Sequence, residues 1–115
     1  MGNQRQTEIM EFSQAPTDEL PAAVPVQILL VSKQIAAANA KRKHIILQNN
    51  GLEPCIVRLG DSAVSTANYN FVLSAATAAR DGLGGSITIE NYQGQILGIC
   101  EANSTIISVT EIVKG

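Results

Sequence analysis

Residues 41–59 constrain the fold of this chain more than any other stretch, because they form two strand-like segments around a compact turn. Segment 44–48 contains an aliphatic run, and segment 55–59 alternates between two faces with the period of a strand. The Asn-Asn-Gly sequence at 49–51 tolerates positive φ, and a proline closes the loop without needing a backbone donor. The stretch therefore predicts a β-hairpin.

Five further segments have the length and alternation of short strands, and each is followed by turn residues or another break. With the hairpin, they predict an all-β protein, a small antiparallel β-sandwich of six to eight strands. The chain offers mostly Ile, Val, Leu and Ala for the core, with two Phe, two Tyr and no Trp, which suits a thin sandwich. The segments are 26–32, 69–73, 86–91, 95–101 and 105–113.

Three regions leave the topology only partly defined. Because loops of about three residues separate the last three strands, residues 86–113 predict an antiparallel meander. The alanine-rich segment 35–40 is too short for a stable helix and predicts an extended or turn connection. Within 62–83, residues 74–80 fit either a helical turn or a loop of small residues, and both alternatives stay open.

Residues 1–25 predict an extended N-terminal arm, and residues 26–115 the sandwich domain. Residues 1–24 carry one cation and four anions, whereas the rest carries seven and six, and the arm region has three prolines. Its large apolar residues cluster at Ile9, Met10 and Phe12. The arm is either disordered or ordered by docking on a neighbouring subunit through this cluster, and the sequence leaves both open.

Three consecutive cations, Lys41, Arg42 and Lys43, precede the first strand of the predicted hairpin. One interpretation is a solvated strand start that discourages edge pairing. The other is a contact with an acidic partner surface. Together with Ile9, Met10 and Phe12, they are the candidate partner-binding residues of this chain.

The composition argues against several classes of function. A net charge of −2 and few aromatic residues leave no basic footprint or stacking platform for nucleic acid. We expect no membrane span and no signal peptide, since no long apolar run or N-terminal apolar segment occurs. Two cysteines 45 positions apart and one histidine offer no zinc ligand set, and we expect no metal and no cofactor.

No catalytic constellation is apparent, so we expect a protein that is not an enzyme and has no catalytic residues. His44 has no acid or thiol beside it in sequence and predicts a hydrogen-bonded strand histidine. Asp61 and Asp81 lie in predicted turns, where aspartate caps its own backbone. We expect Cys55 and Cys100 to be buried free thiols. A disulfide between them is the alternative, and it requires that their Cα atoms lie within roughly 7 Å.

The order of the motifs resembles that of the small β-sandwich virion proteins encoded in the structural gene clusters of tailed bacteriophages. Those proteins share an Ala-Asn-Arg-Lys start, a strand ending in Gln-Asn-Asn, a strand ending in Leu-Gly, and a late Tyr-x-Gly turn followed by Ile-x-Gly-Ile. The resemblance covers about residues 33–112, and the longer segment 76–85 departs from the usual short turn. The matching residues are Asn39, Arg42, Lys43, 45–50, Leu59, Gly60, Tyr92, Gly94 and 96–99.

The resemblance implies a non-enzymatic structural protein of the virion. We favour a capsid decoration, or cement, protein that is assembled in the host cytoplasm and lies on the capsid surface. Its partners would be the major capsid protein and further copies of itself in a homotrimer or homodimer. The alternatives are a tail or head–tail joining protein that forms a ring, and a glycan-binding sandwich on the virion surface.

Overall fold

The structure is a computed structural model, which describes residues 21–114 and contains two four-stranded antiparallel sheets with no helix in that range. The predicted all-β class and the sandwich of six to eight strands are confirmed. None of the described residues forms a helix that could cross a membrane. The strands are β1 (Val24–Ile28), β2 (Lys33–Ala36), β3 (Arg42–Asn49), β4 (Cys55–Leu59), β5 (Phe71–Leu73), β6 (Ser86–Glu90), β7 (Ile96–Ile99) and β8 (Thr105–Val113).

The two sheets bury one core between their inner faces. Sheet A has the strand order β1-β8-β3-β6, and sheet B has the order β2-β7-β4-β5. Alternate residues of the strands point inward, so aliphatic side chains from both sheets interdigitate, while the outer faces carry a mixture of polar and apolar residues. The buried core residues are Ile28, Ile35, Ile45, Leu47, Cys55, Val57, Leu73, Ile96, Cys100, Ile107 and Val109.

The predicted hairpin in residues 41–59 is wrong, although both of its strands form. β3 pairs with β6 and β8 in sheet A, whereas β4 pairs with β5 and β7 in sheet B. Positive φ among the described residues occurs elsewhere and at none of residues 49–54, so no primed turn closes here. The loop instead crosses from one sheet to the other.

The predicted meander over residues 86–113 is also wrong, because each strand in turn joins the opposite sheet. β6 and β8 belong to sheet A, and β7 lies between β2 and β4 in sheet B. The connections 91–95 and 100–104 each have five residues. Five extended residues span roughly 17 Å, enough to bridge sheets about 10 Å apart. Short loops therefore fit a sheet-to-sheet crossing as well as a hairpin.

The predicted first strand, 26–32, extends too far: its second half is a bend, and a strand that the sequence does not predict follows in the other sheet. β1 ends at Ile28, the chain bends over residues 29–32, and β2 begins at Lys33. β1 also starts at Val24, two residues before the predicted domain boundary. The alanine-rich segment 35–40 contributes its first two residues to β2 and then forms the predicted irregular connection.

The region 62–83 folds as loops around the short strand β5, and residues 74–80 contain no helix. Before β5, Ser65 and Asn68 form an isolated bridge with two backbone hydrogen bonds of 3.1 Å. This loop places Val64 in a small apolar cluster with residues on the outer face of sheet B. The other members of the cluster are Ile56, Leu97 and Ile99.

Asn49 ends β3 with a side chain that is fully buried and fully hydrogen-bonded. Its Nδ2 donates to the carbonyl oxygens of Glu53 at 2.8 Å and Leu73 at 3.1 Å. Its Oδ1 accepts from the Gly51 backbone N–H at 3.0 Å and from the Thr105 hydroxyl at 2.6 Å. One amide therefore ties the end of β3 to β5, to β8 and to its own loop.

Asp81 organises the loop between β5 and β6 by accepting backbone hydrogen bonds. Its Oδ1 accepts from Leu83 N at 2.8 Å, and its Oδ2 accepts from Ala78 N at 2.7 Å and Thr77 N at 3.0 Å. These donors, with those of Leu83 and Ala78 foremost, stabilise the carboxylate and lower the pKa of Asp81 below 3.8. The turn-capping role predicted for this residue is confirmed.

We expect this loop to loosen only in strong acid. Because the folded-state pKa of Asp81 is lowered, its contribution is fully present above its unfolded pKa and is lost as the pH falls through the folded pKa. The amide proton shifts of Ala78 and Leu83, followed by NMR, should titrate together with a midpoint below the usual pKa of an aspartate. The titration should vanish in Asp81→Asn, and a wild-type midpoint that is not lowered would contradict the assignment.

Candidate functional site

The three cations of the basic run, Lys41, Arg42 and Lys43, lie in three different environments. The Lys41 side chain is exposed, and its backbone N–H donates to the Asn39 side chain at 2.9 Å. Lys43 is half-buried and is itself engaged in an interaction. Arg42 is only 1% exposed, the largest of the fully buried side chains. Of the three, Lys41 is the most exposed and Arg42 the most buried.

Arg42 is the centre of a buried polar network. Its Nε donates to Glu111 Oε2 at 2.7 Å, forming an ion pair in which the glutamate is 33% exposed. Its Nη1 donates to the carbonyl oxygens of Tyr92 at 3.2 Å and Gly94 at 2.8 Å. Its Nη2 donates to the carbonyl oxygen of Ala37 at 2.5 Å. The guanidinium thus joins β8 to the loops that flank β2 and β7.

A register shift in β3 accompanies the inward turn of Arg42. The β3–β8 pairing is irregular between Arg42 and His44, which is typical of a β-bulge. Bulges re-aim side chains, and here the cation meets an acid and three carbonyl oxygens inside the protein. The structure therefore gives Arg42 an internal role, and its proposed contact with an acidic partner stays a prediction without support from its position.

The apolar residues predicted to hold a partner, Ile9, Met10 and Phe12, lie outside the described residues. The described chain starts at Pro21, on the wall of an open groove of about 430 Å³ between the edge strands β1 and β2. Val24, Val26 and Ile35 line the apolar part of this groove, and Asn39 and Glu111 line its polar end. The N-terminal region thus joins the sandwich directly at an apolar groove.

Several large apolar side chains are exposed on the sandwich, and three of them are consecutive. Leu29, Leu30 and Val31 form the bend between β1 and β2 and project into solvent. Val72 on the edge strand β5 is also exposed, opposite Ile56 in the register of sheet B. Exposed apolar clusters of this kind are typical of surfaces that contact other proteins.

His44 does not match its predicted role. It is buried, with 8% of its surface exposed, and it lies opposite Glu90 of β6 and Ile112 of β8. Neither ring nitrogen has a hydrogen-bond partner among the described residues. Across residues 21–114, no three His, Cys, Asp or Glu side chains are grouped where they could share a metal ion.

Sequence reasoning missed two features of the surface and the core. Glu111 was not singled out, although an acid within the aliphatic strand β8 is a signal that a buried cation needs a partner. The predicted strand 26–32 includes the bend 29–31, although three large apolar residues in a row break the alternation of a half-buried strand.

Comparison with known proteins adds no relative to this description. No family model, no curated protein and no solved structure matches the chain.

Proposed function

We propose that this protein is a non-enzymatic structural protein of a bacteriophage virion, and that it binds the outside of the coat lattice as a decoration protein. One observation carries the proposal: two motif segments of the phage resemblance, some fifty positions apart in sequence, are in contact. Arg42 of the first segment donates to the carbonyl oxygens of Tyr92 and Gly94 in the second. A shared motif whose residues hold the sandwich together is expected of a fold signature.

The distribution of charge and apolar surface supports a binding role in which the N-terminal arm takes part. The first 24 residues carry a net charge of −3 and an apolar cluster at 9–12, and the remainder carries a net charge of +1. The arm continues from a chain whose edge strand β1 borders an apolar groove. A single contact through the arm can bind weakly, because the affinities of many copies add when a shell presents many identical sites.

Co-sedimentation with purified capsid shells tests this proposal. We expect the full-length protein to co-sediment with expanded shells and to raise their resistance to heat. The triple variant Ile9→Ser, Met10→Ser, Phe12→Ser should bind the shells with an affinity at least about tenfold lower, which corresponds to a loss of about 1.4 kcal/mol in binding free energy. A matched control with Gln4→Ser, Gln6→Ser and Gln14→Ser changes three polar residues of the same arm and should bind like the wild type.

A truncation that removes residues 2–20 keeps every described strand. It should remain folded by circular dichroism but no longer co-sediment with the shells. If the truncated chain bound as well as the full chain, the arm would have no role. Failure of the wild-type protein to co-sediment with the shells would overturn the decoration function. Light scattering then separates the alternatives: a dimer or trimer fits decoration, and a six- or twelve-fold ring fits a tail joint.

A further inference from the structure

The two cysteines lie close together in the core although they are 45 positions apart in sequence. Cys55 begins β4 and is 0% exposed, and Cys100 directly follows β7 and is 1% exposed. Both are free thiols in the structure, as the sequence predicts, and both belong to the core cluster between the sheets.

The register of sheet B makes them cross-strand neighbours. β4 and β7 pair Val57 with Gly98 and Ile56 with Ile99, so the next antiparallel position sets Cys55 opposite Cys100. Ile56 and Ile99 point to the outer cluster of sheet B, and the two cysteines point to the inner core. The two thiols therefore project from the same face of adjacent strands.

The hydrogen-bond pattern shows that this is the narrower kind of antiparallel pair. Gly60 N donates to Gln95 O at 2.9 Å, so this pair of opposite residues is a hydrogen-bonded pair. Hydrogen-bonded and non-hydrogen-bonded pairs alternate along an antiparallel ladder, and by this alternation Cys55 and Cys100 form a non-hydrogen-bonded pair. Cys100 N donates at 2.9 Å to Leu29 O, on the side away from β4, as this assignment requires. Such pairs have Cα atoms about 4.5 Å apart, within the disulfide range of about 4.4–6.8 Å.

The surroundings leave room for one thiol to turn toward the other. Gly98, on the inner face of β7, is the diagonal neighbour of Cys55. A β-carbon at this position would lie 3.2 Å from Cys55 Sγ, so the glycine leaves space beside the thiol. Among residues 21–114, Cys100 Sγ has two hydrogen-bond contacts, at 3.4 Å to Ile28 O and 3.7 Å to Asn103 O. A thiol is a weak donor, so breaking these contacts costs little.

We propose that Cys55 and Cys100 form an intramolecular disulfide in the presence of a low-molecular-weight disulfide such as oxidised glutathione, which makes the pair a redox modification site that links β4 to β7. One thiolate attacks the glutathione disulfide and releases one glutathione thiolate. The second thiolate then attacks the mixed disulfide and releases the other. The protein loses two electrons and two protons, and one glutathione disulfide becomes two thiols.

Burial controls when this oxidation happens. Removal from water, with a smaller effect from the neighbouring Cys100, raises the pKa of Cys55 to about 12, and burial also raises the pKa of Cys100. The reactive thiolates are therefore scarce in the closed fold. Cys100 borders the exposed residues 101–103, so local opening there should admit the oxidant to Cys100 first. This inference stands apart from the proposed function, since it uses only the geometry of sheet B.

The test is to equilibrate the full-length protein with oxidised glutathione, both as folded protein and during refolding from urea. After alkylation, mass spectrometry should find a chain two hydrogens lighter with no alkylated thiol, and a non-reducing digest should contain a peptide joining Cys55 to Cys100. The oxidised protein should melt roughly 5 °C or more above the reduced protein, because a loop of about 45 residues is closed. Reductant should reverse the shift.

The double variant Cys55→Ala, Cys100→Ala is the matched control, and its melting temperature should not respond to oxidant. The proposal is supported if the disulfide forms readily during refolding and slowly in the folded protein, because burial then limits the rate of thiol oxidation. Two alkylatable thiols after refolding in oxidised glutathione, or glutathione retained on each cysteine without a cross-link, would overturn it.

Discussion

Replacing Arg42 with alanine should lower the free energy of unfolding by about 3–5 kcal/mol, because a buried guanidinium is removed and its hydrogen-bond acceptors inside the protein lose their donor. The guanidinium uses four donors inside the protein, so its loss leaves Glu111 and the carbonyl oxygens of Ala37, Tyr92 and Gly94 without their partner. A domain of this size is stable by about 5–15 kcal/mol, so much of its stability would be lost. Urea unfolding followed by circular dichroism measures it, since the chain has no tryptophan.

Two controls separate the network from the charge. Lys41→Ala removes the exposed neighbouring cation and should change stability by no more than about 0.5 kcal/mol. Arg42→Lys keeps the charge but loses the planar fork, and should recover only a small part of the loss. Equal unfolding midpoints for Arg42→Ala and Lys41→Ala would show that the buried network does not hold the sandwich together.

Replacing Asn49 with leucine should cost about 3–5 kcal/mol, although the side chains are similar in size. Four hydrogen bonds worth about 1 kcal/mol each are lost, and the Gly51 N–H and the Thr105 hydroxyl are left as buried donors without acceptors. The substitution adds apolar surface to the core, so a simple burial argument predicts the opposite sign. The free energy of unfolding in urea decides between the two.

The neighbouring strand position provides the control for Asn49. Gln48 is half-buried on the opposite face of β3, and Gln48→Ala should cost less than about 1 kcal/mol. Thr105→Val removes one of the four bonds and should cost about 1 kcal/mol. An Asn49→Leu protein as stable as the wild type would mean that leucine packing replaces the amide bonds in full.

The two predictions concern the two ends of one strand. Arg42 begins β3 and Asn49 ends it, and each uses a buried polar side chain to join β3 to elements of both sheets. β3 is also central in sheet A, paired with β6 on one side and β8 on the other. The stretch 41–59 is therefore central in the fold, although it does not form a hairpin.

Strand content was predictable because it depends on local alternation. The sequence predicts β4 and β8 at their observed bounds and β6 within one residue, since β-branched residues and turn residues mark strands within a few positions. Which strands pair was not predictable in this way. The chain changes sheets at every connection except the one between β4 and β5, and a five-residue loop permits either arrangement.

The candidate partner-binding residues show the same division. From the sequence, Lys41, Arg42 and Lys43 form one basic run with a shared role. In the structure, a bulge turns Arg42 into the core toward Glu111, whereas Lys41 remains in solvent. A run of like charges therefore does not reveal which member finds a buried partner, because that partner lies about seventy positions away.

By itself, the sequence determined that this protein is all-β, where most of its strands lie, and that its first 24 residues differ in charge from the rest. These properties follow from local periodicity, turn chemistry and residue counts. Only the tertiary structure decided the order of strands in each sheet, the burial of Arg42 and Asn49, and the placement of Cys55 beside Cys100. Those features depend on contacts between distant segments, whose register is set by packing two sheets against each other and by the need to pair every buried polar group.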